Sequence, residues 1–138
     1  HFDPMINYPD WEKGYQNLVD QILDAIPPER IAWISFGALR YISSLKSIVD
    51  ERFPKSNVFL GEFVPGVDGK MRYLKKIRRR LFKNVQKKIQ KLAPQIPTYL
   101  CMENDSVWEK TMHYHPQNST ALEETLGSSH KKRFTLEA

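Results

Sequence analysis

Cysteine is almost missing from this chain: Cys101 is the single one in 138 residues. One thiol cannot build an internal disulfide framework. With no charged-then-apolar leader at the N-terminus either, a reducing cytoplasm is the expected compartment. Long apolar runs are also missing. Nothing approaches the ~20 residues that span a bilayer, so no membrane partner is expected. Glycine is scarce, with six residues. Gly61, Gly66 and Gly69 suit a turn and do not open a helix after a strand, which excludes a phosphate-cradling P-loop. The most informative absence is acid: from Lys70 to Lys91 there is no Asp or Glu, against Lys70, Arg72, Lys75, Lys76, Arg78, Arg79, Arg80, Lys83, Lys87, Lys88 and Lys91.

What is present is a globular composition, 41% hydrophobic and 12% aromatic, too apolar for a disordered chain and long enough for one core. The net charge of +5 is carried by the basic stretch and by His130-Lys131-Lys132-Arg133; elsewhere acids outnumber Lys and Arg, 16 to 7. Like charges at helical spacing repel, so a single-signed helix is either a plain solvated face or a surface whose repulsion is relieved by phosphates. Because the run adjoins Met71 and Tyr73 on an expected hairpin, both readings stay open at this level. Residues Lys70, Arg72, Tyr73, Lys75, Lys76, Arg78, Arg79 and Arg80 are the candidate DNA contacts, Tyr73 by stacking on bases.

Periodicity sets the order of elements. His1-Phe2-Asp3-Pro4 reads as a strand end that lacks an initiator methionine, which suggests that an N-terminal half is missing. Asp10 is a candidate cap for a helix carrying Trp11, Tyr15, Leu18, Val19, Ile22, Leu23 and Ile26. Arg30 to Gly37 is a short apolar run suited to a strand buried on both faces. Ser43 or Ser44 is expected to cap a helix with a Leu45, Ile48, Val49 and Phe53 stripe. Asn57 to Val64 reads as a strand turned at Pro65-Gly66-Val67-Asp68-Gly69 into an arm near Lys70 to Tyr73, a hairpin over about 57–73. The basic helix follows with Leu74, Ile77, Leu81, Val85, Ile89 and Leu92. Thr98 to Met102 is a further strand, and Ser106 with Glu109 fits a capping box. Residues 117–138 read as a weakly structured tail with room for one short helix near Leu122 and Leu126. Alternation of this kind indicates an α/β fold with helices over a parallel sheet, open or rolled into a barrel, with ligand chemistry at the strand C-termini. That rule gathers His1, Asp3, Gly37, Arg40 and Glu103 at one rim.

Three segments carry a resemblance. Tyr8-Pro9-Asp10-Trp11-Glu12-Lys13-Gly14-Tyr15, then Leu45 to Pro54 (LKSIVDERFP), then Gly69-Lys70-Met71-Arg72-Tyr73, resemble in order and spacing the C-terminal part of spore photoproduct lyase and its lyase-like relatives, which are radical S-adenosylmethionine proteins. The likeness covers roughly residues 1–103. It implies the C-terminal portion of a partial (β/α) TIM-like barrel over 1–116, and a parent protein with a [4Fe–4S] cluster and S-adenosylmethionine that reverts a thymine dimer in DNA. The resemblance also implies a basic hairpin wedged beside the flipped lesion, with Glu62, Lys70, Arg72 and Tyr73 on or next to it.

The departures from the family pattern are specific. Three closely spaced thiolates, C-x3-C-x2-C, are needed for the cluster, and Cys101 matches none of them. The turn is rich in glycine and proline and lacks the expected run of aromatics and arginines. The chain is therefore identified as lyase-like, with neither cofactor nor catalysis of its own expected. The alternatives are a stand-alone nucleic-acid-binding module and a remnant with no partner. Self-association is expected from the strand edges and apolar inner face of a half-barrel. His113-Tyr114-His115 is a weak metal candidate, since two imidazoles do not make a site. Cys101 reads as an inert buried thiol, and Trp11, Trp33 and Trp108 read as core.

Overall fold

The computed structural model describes residues 1–134. The elements are β1 (Phe2–Met5), α1 (Trp11–Ala25), β2 (Ile34–Ala38), β3 (Arg40–Tyr41), α2 (Ser43–Arg52), β4 (Phe63–Pro65), β5 (Met71–Tyr73), α3 (Lys75–Leu92), β6 (Thr98–Leu100), α4 (Asp105–Met112) and α5 (Ser119–Phe134), with a 3-10 turn at Pro28–Arg30. Three strands form a parallel sheet in the order β1-β2-β6, with Phe2 opposite Phe36 and Ile34, Ser35 and Phe36 opposite Thr98, Tyr99 and Leu100. The sheet does not close into a barrel among the described residues.

Strand alternation explains the core. Ile34, Phe36 and Ala38 point to the helices, and all five residues of β2 are buried, as the apolar run requires. Phe36 lies near-parallel to Phe82 of α3 at 6.4 Å and edge-on to Phe2. From α3 the stripe Leu81, Phe82, Val85 and Ile89 is fully buried. The opposite face of the sheet carries His1, Asp3, Ser35, Gly37 and Tyr99. At Gly37 a Cβ would sit 2.5 Å from the Asp3 carboxyl, so a larger residue there would displace the Asp3 side chain.

Between β2 and β6 the chain makes a second, antiparallel sheet in the order β3-β5-β4. The hairpin turn closes with the Gly66 N–H on the Lys70 carbonyl at 2.8 Å, and Gly69 adopts φ 74, which an L side chain rarely tolerates. Its first arm is shorter than expected, because Asn57–Glu62 turns and strand pairing begins at Phe63. β5 is also not a free finger arm. It is the middle strand, held on its other side by Arg40–Tyr41.

Several helix starts differ from the expectation. Asp10 lies in the left-handed region with no side-chain cap, Ile42 stands before α2 in place of a serine, and the α4 cap is Asn104, whose Oδ1 accepts from the Val107 N–H at 3.2 Å. The apolar stripe of α2 finds no core: Leu45, Ile48 and Phe53 are exposed. Trp11 and Trp108 are buried, whereas Trp33 is half-buried beside the His130 ring. Helix α5 runs through Gly127-Ser128-Ser129, which the sequence places in a tail.

The stacked Phe36–Phe82 pair makes a direct prediction. Phe82→Ala is expected to cost about 3–5 kcal/mol of unfolding free energy, because the transfer and cavity terms add at a fully buried site. Urea unfolding checks it, and a loss under about 1 kcal/mol would remove Phe82 from the core.

Candidate nucleic-acid interface

The basic stretch does not present its cations as one face. Arg78, on the first full turn of α3, points inward and is 3% exposed. Its Nε donates to the Tyr73 carbonyl at 2.9 Å, and Nη1 donates to Glu103, which follows β6. Both side chains of this ion pair are 4% exposed. Desolvation raises the Glu103 carboxyl above its ordinary value, and Arg78 and then Arg72 pull it back without cancelling the rise.

Tyr73 is fully buried. Its ring lies near-parallel to Phe63 at 4.4 Å, Phe63 meets Tyr41 edge-on at 5.1 Å, and Tyr41 meets Phe59 at 4.2 Å. The Tyr73 hydroxyl accepts from the Asn7 N–H at 3.2 Å, while the Tyr15 hydroxyl accepts from the Ile6 N–H at 2.7 Å. Two tyrosines thus hold the loop after β1, and burial pushes both phenols up. The expected DNA-facing roles of Arg78 and Tyr73 are therefore corrected: both are interior residues, and neither can meet a base or a phosphate.

Arg72 pairs across the small sheet with Arg40, so two like charges stand directly opposite. Asp68 offsets this, its two oxygens taking Nη2 of Arg72 at 2.6 and 2.7 Å across the turn. Desolvation pushes the Asp68 carboxyl up, but the Lys70 N–H and the Arg72 guanidinium outweigh it and hold the group below its ordinary value. Arg80 reaches Glu12 at 2.9 Å and lies 5.7 Å from the Trp11 ring centroid, an exposed pairing that contributes little. Arg79 is half-buried. Lys75 and Lys76 stay exposed in the first turn of α3, which has no acid and no side-chain cap. Cations there oppose the helix dipole, so an anion nearby would be favourable. Lys70 is half-buried at the foot of the turn.

The rim is only partly assembled. Arg40, Arg72, Arg78, Cys101 and Glu103 surround a cavity of about 10 Å³, room for one water and no ligand. His1 is elsewhere: its ring bonds the Ser35 hydroxyl near the start of β2, at the other end of the sheet. Asp3 lies against Gly37 within the sheet, and Glu62 is exposed before β4, its carbonyl accepting from the Leu74 N–H. His113 ends α4 in the left-handed region and His115 faces Glu109 at 3.7 Å. Among the described residues no three His, Cys, Asp or Glu side chains gather as a metal site. No helix among them is long and apolar enough to cross a membrane.

Comparison with solved structures identifies the architecture. Spore photoproduct lyase complexed with dinucleoside spore photoproduct superposes with TM-score 0.59 at 19% identity, over 72% of this chain and 32% of that one. A cysteine-to-serine mutant of the same lyase gives 0.59 at 20%, with the same coverage. In fold, the chain is spore photoproduct lyase-like. A further lyase structure, with bound AdoMet and dinucleoside spore photoproduct, gives 0.58 at 20% identity. The chain spans about a third of the length of these lyase structures. No family model matches the chain, and no curated protein does.

The charge pair inside this lyase-like fold predicts a pH signature. Folded Glu103 holds its proton more tightly than the unfolded chain does, so its contribution is present below the ordinary glutamate pKa and is lost as pH rises through the folded value. Arg78→Met removes the counter-charge. It is expected to cost about 3–5 kcal/mol, with a greater loss at about pH 8 than at about pH 4. Urea midpoints across that range check the sign, and a loss independent of pH would mean that Glu103 is not buried against Arg78.

Proposed function

We propose that this chain is the C-terminal part of a spore photoproduct lyase-like radical S-adenosylmethionine protein, where it supplies part of a (β/α) barrel wall and a surface for DNA carrying a thymine dimer. The observation that carries this reading is the fold match over 72% of the chain but 32% of the lyase, joined to the three sequence segments in matching order. Proteins that act on a base within a duplex expose it by flipping, and a cationic surface beside that site holds the backbone. In this chain Lys75 and Lys76, which follow the hairpin in sequence, are exposed cations. Lys70 and Arg79 are half-buried.

The cofactor chemistry lies outside these residues. A cluster of the radical S-adenosylmethionine type takes three thiolates, and Cys101 is a single, half-buried thiol beside the Arg78–Glu103 pair. The residues present do not fit the cluster, and the chain by itself carries no catalytic step. Two surfaces suit the remainder of such a protein or a second copy of this one. One is the polar face of the parallel sheet. The other is the exposed apolar surface of Ile42, Leu45, Ile48, Phe53 and Leu60.

The natural coding sequence that precedes His1 tests the proposal. A C-x3-C-x2-C motif is expected there, with about four irons per chain after anaerobic reconstitution of the longer protein and none bound by residues 1–138 alone. A preceding sequence without that motif would leave a nucleic-acid-binding module with no radical chemistry.

A further inference from the structure

Helices α1 and α3 pack side by side and leave between them an open groove of about 400 Å³, lined by Gln16 and Asp20 from α1 and by Asn84, Lys87, Lys88 and Lys91 from α3. Lys88 is held by Asp20 at 2.6 Å, the one carboxylate in the groove. Lys87 and Lys91, one helical turn apart, carry no ion pair among the described residues. The groove therefore keeps a net positive charge of two lysines. Asn84 has its Oδ1 buried without a hydrogen-bond partner, a lone acceptor suited to a water that bridges to an anion. The charge continues along the helix: Arg80, which Glu12 engages, and Lys83, Lys87 and Lys91 recur every three or four residues, on one stripe ~17 Å long. A stripe of this length fits a linear polyanion and exceeds what one small ion needs.

We infer that this α1–α3 groove is a phosphate-binding track for a nucleic-acid backbone, separate from the hairpin and the strand ends. The inference rests on the nucleic-acid reading above and moves its main contact from the first turn of α3 to the lysines further along that helix. Lysine meets phosphate as a point charge without reading bases, so the contact sets affinity and register and carries no sequence preference.

The experiment is equilibrium binding of a short labelled DNA duplex over a series of salt concentrations, for the wild-type chain, Lys87→Gln/Lys91→Gln and Lys75→Gln/Lys76→Gln, with circular dichroism confirming that each variant is folded. Each phosphate contact contributes about 0.9 to the slope of log affinity against log salt. The groove variant is expected to flatten the slope by about two contacts, which supports the track. A slope unchanged in the groove variant but reduced in the Lys75/Lys76 variant overturns the groove and leaves the DNA reading standing. A wild-type chain with no salt-dependent binding overturns both.

Discussion

One buried ion pair ties this fold together. Arg78 on α3 and Glu103 after β6 are each almost fully removed from solvent, and Arg78 also serves the Tyr73 carbonyl at the end of β5. Taking two charges out of water costs several kcal/mol per ion, recovered only where geometry is good and the remaining donors are satisfied. Here the pair joins three elements that sequence separates: the antiparallel sheet, the long helix and the last parallel strand. With that helix pinned at its start, the apolar stripe Leu81, Phe82, Val85 and Ile89 faces the parallel sheet.

That constraint divides the cations by type. Arg72, Arg78 and Arg80 are engaged by Asp68, Glu103 and Glu12. The planar guanidinium, with donors in a fixed fork, suits these internal and bridging duties. The lysines of α3 are mostly left at the surface, and among the described residues Lys88 alone of them is bound by an acid. A run of basic residues is thus two populations, one structural and one solvent-facing. Pairing takes Arg72 and Arg78 out of the expected interface and leaves the lysine stripe as the surface open to a polyanion.

Much of the architecture could be read from the sequence. β2 and β6 are apolar runs bounded by turn residues, α1 and α3 repeat their apolar positions at helical spacing, and the hairpin turn is written in Gly66, Asp68 and Gly69. β3 was invisible because two residues carry no period and their pairing is set by a distant strand. Arg78 had a signal that charge obscured: it falls four after Leu74 and three before Leu81, on the apolar stripe. Tyr73 pairs with Phe63 across the hairpin, and only the third strand fixes which face of that pair is inside. The α5 segment lacks amphipathic alternation, so its helix could not be found by period. The rim expectation failed for His1 because β1 starts, rather than ends, beside the Ser35 end of β2.

The central claim is that Arg78 is internal while the outer lysines of α3 are the ones placed to meet an anion. Side-chain modification read by mass spectrometry tests it directly, with arginine- and lysine-specific reagents on the folded chain, with and without duplex DNA. The account predicts that Arg78 stays unmodified in both states while Lys87 and Lys91 lose reactivity when DNA is added. Ready modification of Arg78 in the folded chain, or lysines whose reactivity ignores DNA, would contradict it.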